Sequence, residues 1–301
     1  MITQGYDLLD LRLSEITGLS GLSFVGDDIM INGLNLSNRE ILSSSVLSYC
    51  TSLKYVRKAF SNPKVKALVI TASMYDELSD AERQSRSFII DEFPESTFYT
   101  LLIKLSDSHY PHYTWKTDIK NATVMDGAVV EDGVVLGENV LIGNNSVIKS
   151  GTIIGNNVTI GACSVIGGEG FQLIKDIRGM NMSIPHVGRV KIGNNVSIGD
   201  NSTISKSLFE GFTSIGDYTK IDNHVHIAHN CTVGKNSVLA ANCTLFGSCE
   251  LRDNVWVAPN AAVMNRVVVD NNAFIGACSF ISRNVKSGAR MFGVPATNID
   301  E

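Results

Sequence analysis

From residue 124 onward an aliphatic side chain returns at every sixth position. The first run is Val124, Val130, Leu136, Ile142, Ile148, Ile154, Ile160 and Ile166; after a break come Ile192, Ile198 and Ile204. Ile215 follows after eleven residues, where twelve would keep the period, and the series then runs unbroken to Ile281. A helix would show period 3.6 and a simple strand period 2. The six-residue pattern instead predicts short strands wound into a parallel β-helix, one hexad to each side of a coil. Four residues after most of these aliphatics stands a smaller residue, such as Ser146, Ser164, Cys231 or Ala261, with Leu208 as the exception. A narrow solenoid interior takes one large and one small side chain per side, so the second series supports the first. Gly and Asn gather just past the aliphatics, as in IGNN at 142–145, where a tight corner demands positive φ. With three hexads per coil, residues eighteen apart stack at roughly the 4.8 Å spacing of neighbouring strands.

Residues 1–106 lack the period and read as a small α/β domain. SLKYVRKAF (52–60) sets Leu53, Val56 and Phe60 on one helical face, KALVIT (66–71) reads as a buried strand, and 96–107 as a helix opened by Ser96 or Thr97. Residues 107–118 form a connector in which Pro111 ends that helix. The β-helix is expected over 119–286, with an inserted loop at 167–191 and a short tail at 287–301. The loop interrupts a regular scaffold over about one coil's length, which is where function is usually carried.

Composition narrows the classes. With 301 residues, 44% of them apolar and 18% charged, the chain is long enough for two domains and a substantial core. A net charge of −5 and the absence of a Lys/Arg cluster argue against a nucleic-acid binder. No apolar run approaches membrane-spanning length, and the acid-bearing start does not read as a signal peptide. Six cysteines without CxxC pairs suggest reduced thiols in a cytoplasm. Cys231, Cys243 and Cys249 fall in the small inward slots and read as packing, whereas Cys163 and Cys278 fall one position earlier.

Several segments together resemble the UDP-3-O-acylglucosamine N-acyltransferase family of lipid A assembly. They are GGEGF (167–171), IPHVGRVKIG (184–193), KIDNHVHIAHNCTVG (220–234) and LFGS (245–248), with LSYCTSLKY (47–55) similar to that family's uridine-binding segment. The resemblance implies a left-handed parallel β-helix, a homotrimer with active sites between subunits, and transfer of an acyl group from a thioester to the amine of a nucleotide-linked amino sugar. It implies His229 as general base, Gly247 as the oxyanion-hole amide, and Tyr49 and Tyr55 as the aromatic residues that hold the base. The stacking rule gives the same pair independently, since 229 plus 18 is 247, and a glycine leaves its amide open to a developing oxyanion.

The departures from that family redirect the expectation. Its Gly-His pair reads Asn265-Arg266 here, its Asp-Arg-Gly segment reads Ser205-Lys206-Ser207, and its C-terminal helices are missing. The ending IGACSFISRNVKSGARMFGVPA (275–296) is more similar to hexapeptide acetyltransferases that use acetyl-coenzyme A. The expected enzyme is therefore a cytoplasmic N-acyltransferase that moves a short acyl group from acyl-CoA to a UDP- or dTDP-linked amino sugar for a surface polysaccharide, with no tightly bound cofactor. Ala277, Arg283 and Arg290 would hold the coenzyme A end. Gly170, Phe171, His186, Asn223, His224, Asn230 and Arg266 would contact the substrate. Counting eighteen back from His229 gives 211, beside Glu210, so Glu210 or Asp222 is expected to orient the base.

Three alternatives stand beside this reading. They are a lipid A enzyme fed by 3-hydroxyacyl-acyl carrier protein, a zinc-dependent protein resembling γ-type carbonic anhydrases, and a non-catalytic nucleotide-sugar-binding solenoid. The zinc reading calls for histidines one coil apart, and no histidine lies eighteen residues from His224, His226 or His229. No metal ligand set is assigned.

Overall fold

In a computed structural model that describes residues 9–39, 41–107, 110, 117–176 and 178–300, the hexads close into a left-handed parallel β-helix. Its sides are sheets of eight, ten and eight strands among the described residues. The six-residue aliphatics point inward and nearly all are buried, with Leu136, Ile142, Ile227, Leu245 and Val263 fully so. The small slots are mostly buried too, and most of their hydroxyls are paired, with Thr152 Oγ1 the exception. Ser146 Oγ donates to the Gly161 carbonyl and accepts from the Ser164 amide, and Ser164 and Ser202 continue that ladder on later coils. Polar atoms are tolerable inside so narrow a core because each one caps the coil next to it.

Corners take the left-handed backbone conformation, mostly at asparagine: Asn139, Asn157, Asn195 and Asn254 have φ between 55° and 60°. Asparagine is the side chain that best tolerates this region. Tyr218, His224, Ser248 and Arg266 occupy equivalent corners with φ of 57–64°.

Most coils keep the eighteen-residue spacing, as in Ile142 beside Ile160 and Ile227 beside Leu245. Two do not. Ile154 pairs with Ile192, thirty-eight residues on, and Ile192 pairs with Ile215, twenty-three on. The eleven-residue interval is therefore a single hexad with a five-residue excursion, not two hexads with one residue lost. This corrects the count below His229. Ile204 lies beside Ile227, so the residue beneath His229 is Lys206, and Glu210 falls inside the excursion.

The two interruptions belong with the N-terminal part of the chain. Phe171–Val187 and Phe209–Gly211 group with that unit, while Gly188–Leu208 and the chain from Phe212 onward group with the solenoid. The expected loop contains a hairpin, Leu173–Lys175 against Asn181–Ser183. The N-terminal unit has a parallel sheet of four strands in the order Gly33–Leu34, Val46–Tyr49, Val65–Ile70 and Ser87–Ile90. Its helices include Leu53–Phe60 and Pro94–Ser106. The second helix starts earlier than Ser96 because Pro94, with its preset φ, occupies the first turn. Pro111 and most of the connector lie outside the described residues. The tail is more structured than expected: Arg290–Gly293 adds to the ten-stranded sheet and turns back on Ala296–Asn298, which covers its edge. Among the described residues no helix is long and apolar enough to cross a membrane.

Candidate active site

His229 and Gly247 meet across one coil. A Cβ built on Gly247 would lie 2.7 Å from His229 Nε2, and the Ser248 amide donates to the His229 carbonyl (2.9 Å). Only glycine leaves room for the imidazole in this position.

The other ring nitrogen faces Asn230, with Nδ1 2.9 Å from Oδ1. The orientation of that carboxamide is fixed by its neighbours. The Leu208 amide, which can only donate, points at Oδ1 (3.1 Å), and Nδ2 donates to Ser207 Oγ. Since Asn230 Oδ1 can only accept, His229 Nδ1 must carry the proton. Neutral His229 therefore carries its ring lone pair on Nε2, the nitrogen over Gly247. That is the tautomer a general base needs. Asn230, expected to touch substrate, holds the His229 ring in this tautomer. Its aspartate variant should keep the acceptor at Nδ1 and add a negative charge beside the ring. A nearby carboxylate favours imidazolium, so the acid limb of a kcat/KM–pH profile should move to higher pH by about one unit. An unmoved limb would refute the pairing.

The Gly247 amide is the second feature of the pair. On the other two edges of the coil several amides two residues past the inward aliphatic donate to a side-chain oxygen from the next coil, although those of Asn144, Asp217 and Ala241 find no such acceptor among the described residues. Asn156 N donates to Asn194 Oδ1, Ala162 N to Asp200 Oδ1, and Lys235 N to Asp253 Oδ1. Gly247 N occupies the same place in its hexad, with Asn265 in the capping position one coil on. Yet it has no acceptor among the described residues. An uncommitted N–H beside a lone pair is the donor–base pair that acyl transfer uses.

The surroundings of the pair were only partly foreseen. Lys206, in register beneath His229, forms an ion pair with Glu169 (2.6 Å); neither residue stands out in the sequence. Asp222, Asn223 and His224 sit at the preceding corner, after the strand Lys220–Ile221. There the Asp222 carboxylate accepts from the Asn223 amide, and Asn223 Oδ1 accepts from the Asp200 amide. Within one chain they line a different edge from His229. The Glu210 carboxylate receives Asn35 Nδ2 (2.8 Å) and the Leu42 amide (3.2 Å), and burial raises its pKa against the opposing effect of those bonds. His226 faces Thr203 Oγ1 (2.7 Å), and burial followed by the charge of His229 lowers its pKa. Arg266 is an exposed corner residue whose amide donates to the Gly247 carbonyl. Phe171 is 83% exposed, while His186 is buried. Gly170 closes the stretch of solenoid that precedes Phe171. Among the described residues no three His, Cys, Asp or Glu side chains group as metal ligands.

Two cavities bear on the remaining candidates. Tyr49 and Tyr55 line one of about 210 Å³ with Ser37, Asn38 and Thr51, at the C-terminal end of the strand Val46–Tyr49. The Tyr49 hydroxyl donates to Glu95 (2.7 Å) and its ring packs on Phe98, leaving the half-exposed Tyr55 ring available for stacking. Arg283 lines a second cavity, of about 270 Å³, with Lys286 at its rim and Ile281, Val285 and Met291 as its floor. Ala277 and Arg290 are not in it; Arg290 lies over the Phe274 ring.

The repeats match the family described as Bacterial transferase hexapeptide (six repeats) at residues 120–150, 133–168, 212–247 and 248–283. Those matches lie within the solenoid and coincide with its six-residue repeats. Among solved structures, UDP-N-acetylglucosamine acyltransferase from Campylobacter jejuni is similar at 25% identity with a TM-score of 0.52, over 61% of this chain and 69% of that one. Another UDP-N-acetylglucosamine acyltransferase is 23% identical with a TM-score of 0.50, over 60% and 70% of the two chains, and shares the fold. No curated protein matches. In the hexapeptide repeats of this chain, His229, Gly247 and Arg283 share one edge, two residues past the inward aliphatics Ile227, Leu245 and Ile281.

Proposed function

We propose that the chain is a cytoplasmic, homotrimeric N-acyltransferase that moves a short acyl group from acyl-CoA to the amine of a nucleotide-linked amino sugar. The observation that carries this reading is the pairing of an Nδ1-protonated His229 with the free amide of Gly247. The sugar amine attacks the thioester carbonyl, Nε2 takes the proton, and the Gly247 N–H stabilises the negative oxygen until the thiolate leaves. The base of the nucleotide is assigned to the Tyr49–Tyr55 cavity. The Campylobacter jejuni relative is a UDP-N-acetylglucosamine acyltransferase, which supports a UDP sugar over a dTDP one.

Two features of the edge support coenzyme A as donor. Ala228, Phe246 and Met264 stack beside the pair, and Phe246 and Met264 are about 40% exposed, which offers an apolar track for a pantetheine arm. Arg283 stands three coils above His229, about 14 Å at the usual strand spacing, close to the length of that arm. Lys286 and Arg283 would then meet the diphosphate. Mass spectrometry of products from a panel of UDP- and dTDP-linked amino sugars, offered acetyl-CoA and acyl carrier protein thioesters, tests the whole reading. Acetyl transfer to an amine is the expected result, and ligand binding without thiol release would overturn it. Arg283→Gln should raise the KM for acetyl-CoA about tenfold with kcat little changed, because a charge-assisted hydrogen bond made equally in both states is lost.

A further inference from the structure

A cavity larger than either of these lies elsewhere. It measures about 580 Å³ and opens at the N-terminal ends of the strands Val65–Ile70 and Ser87–Ile90, opposite the end that carries Tyr49. Lys66, Arg83 and Arg86 line it, with Asp27 as the only carboxylate. In a chain with a net charge of −5, this is a local excess of two positive charges in a concavity.

None of the three cations has a carboxylate within 4 Å among the described residues. Instead, neutral groups hold them in place. Arg83 lies over the Tyr75 ring (4.9 Å) and spends Nε and one Nη on the Tyr75 and Asp76 carbonyls, leaving Nη1 uncommitted. Arg86 donates to the Ser85, Phe60 and Asn62 carbonyls. Its Nε is buried without a partner, and desolvation lowers its pKa. The Lys66 ammonium makes no hydrogen bond to another described residue. Like charges gathered in a recess repel one another, and two guanidiniums anchored by carbonyls cannot swing apart to relieve it.

We propose that this cavity is a second ligand site, which takes a small molecule bearing a phosphate or diphosphate group. Arg83 Nη1 and the Lys66 ammonium remain to donate to a multiply charged oxyanion, and the fixed Arg86 guanidinium adds its charge beside them. A recess of this volume fits a metabolite and not the broad face of an acidic protein or a lipid surface. The site is separate from the proposed nucleotide cavity and does not depend on the acyl-transfer reading.

Titration calorimetry of the whole protein with inorganic pyrophosphate tests it. The wild type should bind, and Lys66→Gln with Arg83→Gln should weaken binding by at least about tenfold, since two charge-assisted contacts to the anion are removed. Tyr55→Ala and Arg283→Gln should bind as the wild type does, which separates this site from the two phosphate-bearing ligands of the proposed reaction. No heat of binding, or binding lost in Arg283→Gln but kept in the Lys66/Arg83 variant, would overturn it. Binding to anionic vesicles but not to pyrophosphate would equally refute a small-molecule site. Circular dichroism would confirm that the two substitutions, at exposed Lys66 and half-buried Arg83, leave the fold intact.

Discussion

His229→Ala is expected to lower turnover at least about a hundredfold, within the range that general-base assistance usually supplies, while melting temperature and circular dichroism stay close to wild type. The fold should survive because His229 points outward from its corner and the buried positions around it, Ile227 and Cys231, are unchanged. Binding of the nucleotide sugar should also persist, because the proposed base pocket is built from Tyr49 and Tyr55 in the N-terminal unit. The loss should therefore fall on kcat and not on KM for the sugar, the signature of a contact made only in the transition state. Raising the pH should rescue the variant in part, because more of the acceptor amine is then already deprotonated. If the variant turned over like wild type at every pH, Nε2 would not be the base.

How much of this was legible in the sequence depends on how local the determinant is. The solenoid was fully legible because its rule is periodic. One large and one small inward residue per hexad recur often enough for the pattern to outweigh every irregularity. The pairing of His229 with Gly247 was legible for the same reason, since both lie above the interruptions where the eighteen-residue count holds. Below them the count fails. Ile204 to Ile215 looks like a slightly short double hexad, yet a strand register of twenty-three means that the chain leaves the coil and returns. Sequence spacing cannot tell a lost residue from an added excursion of five, so the residue beneath His229 was read as the neighbour of Glu210 and is Lys206.

The orienting role of Asn230 was hidden differently. Asparagine recurs at corners because it tolerates positive φ, so nothing in its identity separates Asn230 from Asn236 or Asn254. Only the Leu208 amide and Ser207, delivered by the same excursion, make its carboxamide a fixed acceptor. The cation cavity was invisible because Lys66, Arg83 and Arg86 come from a strand start, a short helix and a turn.

Gly247→Ala should be the most informative single substitution, because it adds one methyl group and removes no donor. The built Cβ falls 2.7 Å from His229 Nε2 and 2.8 Å from Cε1, distances no carbon tolerates, so the imidazole must rotate away or the corner must shift. Rotation breaks the Nδ1 contact with Asn230 and moves the lone pair off the reacting amine; a shifted corner re-aims the amide. Either way base and oxyanion donor no longer converge, and kcat should fall by about 10²–10³, the usual effect of losing one such donor. Stability should change little, because His229 can swing toward solvent, so the melting temperature distinguishes a lost site from a lost fold. Combining Gly247→Ala with His229→Ala decides the mechanism. If alanine at 247 acts by displacing the imidazole, removing the imidazole first relieves the clash, and the double variant should be no slower than His229→Ala alone. If the two losses multiply, the Gly247 amide is re-aimed on its own account and contributes to catalysis separately from the base.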